Sequence, residues 1–194
     1  MNLEERVYSV LIVSAAENFN SSLQALLPES RFSPLRFENS VSSAKRTLLE
    51  RSFDLIIINS PLPDDPGFRF AIDICSDKTS VSLLLVKADL YSSAYTKVHS
   101  HGVYVLPKPL SKATVSQAFD WMISTRERLR SLEKKTLSIE DKMQEIRIVN
   151  RAKWLLIDQL KMTEAEAHRY IEKQAMDSSM PRKMIAENII KTYL

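Results

Sequence analysis

Between Pro109 and Pro181 the chain contains neither proline nor glycine. Proline removes a backbone donor and clashes with the preceding helical turn, and glycine costs the most conformational entropy when a helix forms. A stretch this long without either is committed to helix. With Val115 placed at heptad position a, most a and d positions are apolar over five heptads, the pattern of a coiled-coil seam. The segment Val115–Met122 is expected to cover a sheet of its own domain. The expected dimer seam is Leu129, Leu132, Ile139, Met143, Ile146 and Asn150. Charged residues such as Arg126, Arg128, Glu133 and Lys135 flank it, and a helix so polar outside needs a partner to bury its seam. Asn150 at an a position favours a two-stranded, in-register pair.

Upstream, the pattern changes to short apolar, β-branched runs. Residues 7–13, 54–59, 83–86 and 103–106 read as buried strands, with a weaker candidate at 34–37. Residues 20–27 and 42–51 suit intervening helices, with Ala44, Leu48 and Leu49 inward. Strands alternating with helices predict a five-stranded parallel sheet covered on both faces, with sites at the C-terminal strand ends.

Several features then fall in a familiar order. A strand ends at Val13, Asn59 ends the next strong strand before Pro61 and Gly67, and Lys108-Pro109 follows the last strand. The only two glycines, Gly67 and Gly102, lie in the loop after the third strand and just before the fifth. Over roughly residues 6–125 the chain resembles the response-regulator receiver domain, a flavodoxin-like α/β fold. The resemblance implies a phosphoacceptor aspartate at the end of strand three and an acidic Mg²⁺ site after strand one. Here the phosphoacceptor position is Asn59, whose amide cannot form an acyl phosphate. The acidic positions are Ser14 and Ala15, and Lys87 replaces the hydroxyl residue after strand four. Of the usual set only Lys108 remains, so the pocket is degenerate. A pairing of Lys87 with Glu17 would fill the space of the metal. Asp64 and Asp65 lie outside the aligned pocket and read as a solvated turn.

The C-terminal residues are again amphipathic and helical. Thr163-Glu164-Ala165-Glu166 is a capping box that starts a helix. That helix points Ala167, Tyr170, Ile171 and Ala175 inward. Ser178-Ser179-Met180 ends it, and Pro181 suits the first turn of the next, where Ile185, Ala186 and Ile189 face inward. Trp154 reads as core. Ala152-Lys153, Glu166-Ala167-His168, Ala175-Met176-Asp177 and Ile185-Ala186 resemble, in order and spacing, the ANTAR domain of transcription antitermination regulators. The resemblance covers roughly residues 137–193. It implies a three-helix unit that binds paired hairpins in nascent mRNA as a homodimer. Lys153 matches the family's Ala-Lys and is the leading contact. His168 is a candidate stacking residue or a half-buried spacer, and Arg169, Lys173, Arg182 and Lys183 are candidate contacts on a basic face. RNA loops expose bases for stacking while Lys and Arg hold phosphates.

Charge agrees with this division. Residues 1–125 carry 12 Lys/Arg against 13 Asp/Glu, and residues 126–194 carry 15 against 11. The expected domains are a receiver-like unit at 1–123, a coiled-coil linker at 124–138 and an ANTAR unit at 139–194. The receiver-like unit is expected to answer to a partner protein or ligand instead of phosphorylation. Two alternatives stand beside this reading: a DNA-binding response-regulator-type transcription factor, and a protein-interaction module controlled through the pseudo-receiver. The third helix offers mostly phosphate-directed charge (Arg182, Lys183, Lys191), which weighs against major-groove reading. No catalytic triad pattern, Gly-rich phosphate loop or metal-spaced histidine set is present, so no enzyme, metal or cofactor is expected. The single Cys75 excludes an intrachain disulfide. With no signal-peptide pattern at Met1–Arg6 and no apolar run long enough for a membrane span, a cytoplasmic protein is expected.

Overall fold

A computed structural model describes residues 6–77 and 79–193. The chain forms two compact units, divided between Ser131 and Leu132. Elements of the first are β1 (Tyr8–Val13), α1 (Glu17–Gln24), β2 (Phe32–Glu38), α2 (Val41–Glu50), β3 (Leu55–Asn59), α3 (Phe68–Ser76), β4 (Val81–Lys87), α4 (Tyr91–Val98) and β5 (Tyr104–Lys108). Helix α5 (Lys112–Leu160) begins in this unit and continues into the second, where α6 (Glu164–Ser178) and α7 (Arg182–Tyr193) follow.

The five strands are parallel, in the order β2-β1-β3-β4-β5. Side chains alternate across a strand, so each strand supplies two cores. Leu11, Val13, Ile56, Ile58, Leu84 and Val86 face α2, α3 and α4. Val10, Ile12, Leu55, Ile57, Leu83 and Leu85 face α1 and the first turns of α5, where Ala118, Phe119 and Met122 are buried. Burial on both faces explains why these strands read as unbroken apolar runs.

Gly67 caps α3 at φ +83°. A Cβ there would stand 2.8 Å from the Ile58 Cγ2 atom, so both backbone conformation and space demand glycine. Strand β2 is longer than the predicted 34–37, because Phe32 is buried in the sheet beside Tyr8. Helix α1 starts earlier than predicted and ends at Gln24. Its continuation closes with tighter turns, Leu26 N–H to the Leu23 carbonyl and Leu27 N–H to that of Gln24. Leu49, expected inward, is exposed, since the buried face of α2 is set by Val41 and Ala44.

In the second unit Ala152 and Leu156 of α5, Ala167, Ile171 and Ala175 of α6, and Ile185, Ala186 and Ile189 of α7 form one small core. The alanines let the helices approach closely. The capping box at Thr163–Glu166 is formed in both directions, and Ser179 ends α6 in the left-handed conformation at φ 52°. Two inward assignments are corrected. Trp154 is 71% exposed. The core face of α5 is fixed by Ala152 and Leu156, and Trp154 lies two residues from each, on the opposite side of the helix. Tyr170 is exposed because Ala167, Ile171 and Ala175, four residues apart, define the buried stripe of α6.

Candidate nucleic-acid interface and receiver-like pocket

At the C-terminal ends of β1, β3 and β5, the receiver-like pocket is closed by hydrogen bonds among its own residues. Ser14 and Asn59 are buried. The Asn59 amide donates to Ser14 Oγ at 3.0 Å, and Lys108 Nζ donates to Asn59 Oδ1 at 2.8 Å and to the Ser60 carbonyl at 2.6 Å. Burial, and then the charge of Lys87, holds the Lys108 ammonium pKa below the ordinary lysine range. Ala15 adds no polar group and is exposed. Mg²⁺ requires several oxygen ligands in near-octahedral array. Here one hydroxyl, one amide and an ammonium occupy the pocket, and the ammonium repels a cation. Among the described residues, no group of three His, Cys, Asp or Glu is placed to hold a metal.

The Lys87–Glu17 pairing does not occur among the described ion pairs. Lys87 is exposed at the end of β4, in register with Lys108 on β5, and Lys108 is the lysine that turns inward. Asp64 and Asp65 are structural. The Asp64 carboxylate accepts from the Val41 and Ser42 amides at 3.0 and 2.9 Å and so caps α2. Asp65 accepts from the Gly67 amide at 2.5 Å.

The opposite end of the sheet, at the N-terminal ends of β1 and β3, holds a charged network absent from the sequence expectations. Asp54, just before β3, accepts from the Ser9 amide and hydroxyl at 3.0 and 3.1 Å. Arg126 Nε donates to the same carboxylate at 2.9 Å, and Arg130 joins it. Arg130 also pairs with Glu127 at 2.8 Å and lies over the Tyr8 ring, while Glu127 accepts from Tyr8 Oη and pairs with Arg6. Burial raises the Asp54 pKa, but the Ser9 and arginine interactions outweigh it and hold the carboxyl below its usual range. The signal in the sequence was an aspartate opening an otherwise apolar strand, with two arginines four residues apart on α5 to meet it.

In the second unit three of the six candidate RNA contacts converge. Lys153, His168 and Arg182 line a concavity of about 420 Å³, with Ile146 and Val149 as an apolar floor and Lys142 at its margin. Helix α5 supplies Lys153, α6 His168 and α7 Arg182. Glu164 holds Lys153 Nζ at 3.2 Å, and Glu172 reaches His168 Nε2 at 3.3 Å and Arg182 at 3.6 Å. Acids on α6 thus orient Lys153, His168 and Arg182. Lys183 lines an adjoining depression. Arg169 and Lys173 are exposed and line neither. Lys142 was missed, although it sits four residues before Ile146 and shares its helical face.

Of the seam residues, Leu132, Ile139, Met143 and Ile146 are 49–59% exposed in the single chain. Asn150 is exposed and, with Ile146, also borders the concavity. Leu129 differs: it is half-buried and packs on the α1/α5 core of the first unit, so the exposed stripe begins at Leu132.

Residues 138–190 match the ANTAR domain family. Over 139 residues, covering 72% of this chain and 68% of the relative, the sequence is 25% identical to the transcriptional regulatory protein PdtaR of Mycobacterium tuberculosis. The first unit has the fold of solved receiver domains. The signal receiver domain of an HD domain-containing protein from Pseudomonas fluorescens Pf-5 aligns with a TM-score of 0.57 at 24% identity, covering 69% of this chain and 96% of that one. A putative response regulator from Chloroflexus aurantiacus J-10-fl aligns with a TM-score of 0.54 at 19% identity, covering 61% and 99%.

Proposed function

We propose that this chain, which matches the ANTAR domain over residues 138–190 and has a receiver fold in its first unit, works as a dimeric RNA-binding antiterminator of the response-regulator kind. It binds paired hairpins in nascent mRNA, and its receiver-like domain answers to a partner protein or ligand instead of phosphorylation. The observation that carries this reading is the meeting of Lys153, His168 and Arg182 around the Ile146–Val149 floor, inside the segment that matches the ANTAR domain. An unpaired base can rest on such a floor, and the surrounding cations suit the phosphates beside it. That role places the protein in the cytoplasm. No helix among the described residues is long and apolar enough to cross a membrane.

Filter binding against a two-hairpin RNA and a duplex DNA at matched salt tests the output. The expected result is tight binding of the RNA and only weak, steeply salt-dependent binding of DNA. Lys153→Ala should weaken RNA binding by about tenfold or more, the loss of one charge-assisted contact. Equal affinity for the two nucleic acids would refute the RNA reading in favour of a DNA-binding factor.

The closed pocket gives a second expectation. Acetyl phosphate with Mg²⁺ should leave the full chain unlabelled, since Asn59 offers no carboxylate and Lys108 already occupies its oxygen. Stoichiometric incorporation that disappears on Asn59→Ala would contradict it.

A further inference from the structure

The concavity at Lys153 does not end at Lys142. It adjoins a second depression of about 600 Å³, whose lining includes Lys134, Ser138, Lys142, Glu145 and Lys183. Lys142 and Glu145 border both. The two depressions follow one stripe of α5, with Lys134, Ser138, Lys142, Glu145, Val149 and Lys153 spaced by three or four residues. At about 1.5 Å per residue the stripe is roughly 28 Å long, more than a few loop nucleotides require. Its start, Lys134, precedes the segment that matches the ANTAR domain.

The exposed seam does not compete for this stripe. At about 100° per residue, Leu132, Ile139 and Met143 centre roughly 100° around α5 from the stripe. Ile146 lies at the border between the two faces, and Asn150 lies on the seam itself; both also line the Lys153 concavity. A second copy of the chain packed on the seam would leave the Lys134–Lys142–Lys183 depression open and would border the Lys153 concavity through these two residues.

We propose that the RNA path runs out of the ANTAR domain along this face of α5, with Lys134, Lys142 and Lys183 holding the phosphate backbone of the stem below the recognised loop. This rests on the RNA-binding reading above. Five cations, Lys134, Lys142, Lys153, Arg182 and Lys183, line the stripe and its α7 wall against Asp141 and Glu145, so its balance is positive. The two acids lie between lysines and disfavour a phosphate directly over the middle of the path. They therefore fix the register of the backbone. Contacts of this kind carry no base identity; they position the hairpin so that the loop meets Lys153, His168 and Arg182.

The test uses the full chain and the two-hairpin RNA, comparing wild type, Lys153→Ala, the double variant Lys134→Ala/Lys142→Ala and the charge-preserving Lys134→Arg/Lys142→Arg. Each phosphate contact contributes about 0.7–0.9 to the slope of log affinity against log salt. The alanine double variant should flatten that slope by about 1.4–1.8 and weaken binding at least fivefold at moderate salt. It should also expose stem nucleotides to hydroxyl-radical cleavage while the loop stays protected. The arginine pair should restore all three. Alanine and arginine both favour helix, and unchanged helicity and sedimentation would exclude a folding effect. If Lys153→Ala weakens binding but the double alanine variant keeps the wild-type slope and footprint, the extended path is wrong and the RNA reading survives. If the wild type ignores the hairpins, both fail.

Discussion

Replacing Asp54 with alanine should destabilise the receiver-like unit by about 3 kcal/mol, the low end for breaking a buried ion pair from one side. The carboxylate is the shared acceptor of Arg126 and Arg130. Arg126 is only 8% exposed, so the substitution removes a carboxylate from beside a nearly buried charge. The Arg130 side chain keeps 24% exposure, and water there moderates the cost. Ser9 also loses its acceptor for two hydrogen bonds. In a unit of this size the thermal midpoint should fall by roughly 10 °C. Asp54→Asn, which keeps an oxygen acceptor but not the charge, should fall between the two. The sign of the pH dependence follows from the lowered Asp54 pKa. The contribution is fully present above the unfolded-state value of about 3.9 and is lost as pH falls through the lower folded-state value. Below pH 4 the wild type should therefore converge on the alanine variant. Calorimetry across pH checks this, and a midpoint for Asp54→Ala within 2 °C of wild type at neutral pH would show that the network contributes no net stability.

The second large effect is expected at the seam. Ile139→Glu/Met143→Glu should convert the proposed dimer to a monomer. Both side chains are at least half exposed in the single chain, so the fold of the second unit does not depend on them. In a parallel dimer each position meets its own copy, and two rings of like charge would replace apolar contact. A dimer that grips two hairpins gains from effective concentration, commonly by 10²–10⁴ over a single site. Affinity for a two-hairpin RNA should thus fall about 100-fold or more, while affinity for one isolated hairpin changes little. Sedimentation equilibrium and filter binding together read both parts. A variant that stays dimeric would place the interface elsewhere, and a monomer that keeps full two-hairpin affinity would separate dimerisation from RNA binding.

These expectations draw on different depths of information. Asn59, Ser14 and Lys87 at the strand ends were legible from residue identity, because a missing carboxylate needs no coordinates to be noticed. The capping box at Thr163 was legible because both partners lie within one turn. Lys153, His168 and Arg182 were legible as residue types, but nothing local assembled them into one concavity while leaving Arg169 and Lys173 outside. That grouping follows from the packing of α5, α6 and α7 through Ala152, Ala167 and Ala186. Leu129 shows the limit of a heptad pattern: its spacing fits the seam, but a nearer apolar surface on its own domain half-buries it.

The sequence by itself determined the five strands, the long helical run after Pro109 and the absence of a carboxylate at position 59, since periodicity, proline and glycine placement and side-chain identity act within a few residues. Tertiary structure decided that Lys108 and not Lys87 closes the pocket, that Trp154 faces solvent and that Asp54 meets arginines more than seventy residues away. Those outcomes depend on how helices and strands stack, and the pairing of distant charges is fixed only when packing brings them within a few ångströms.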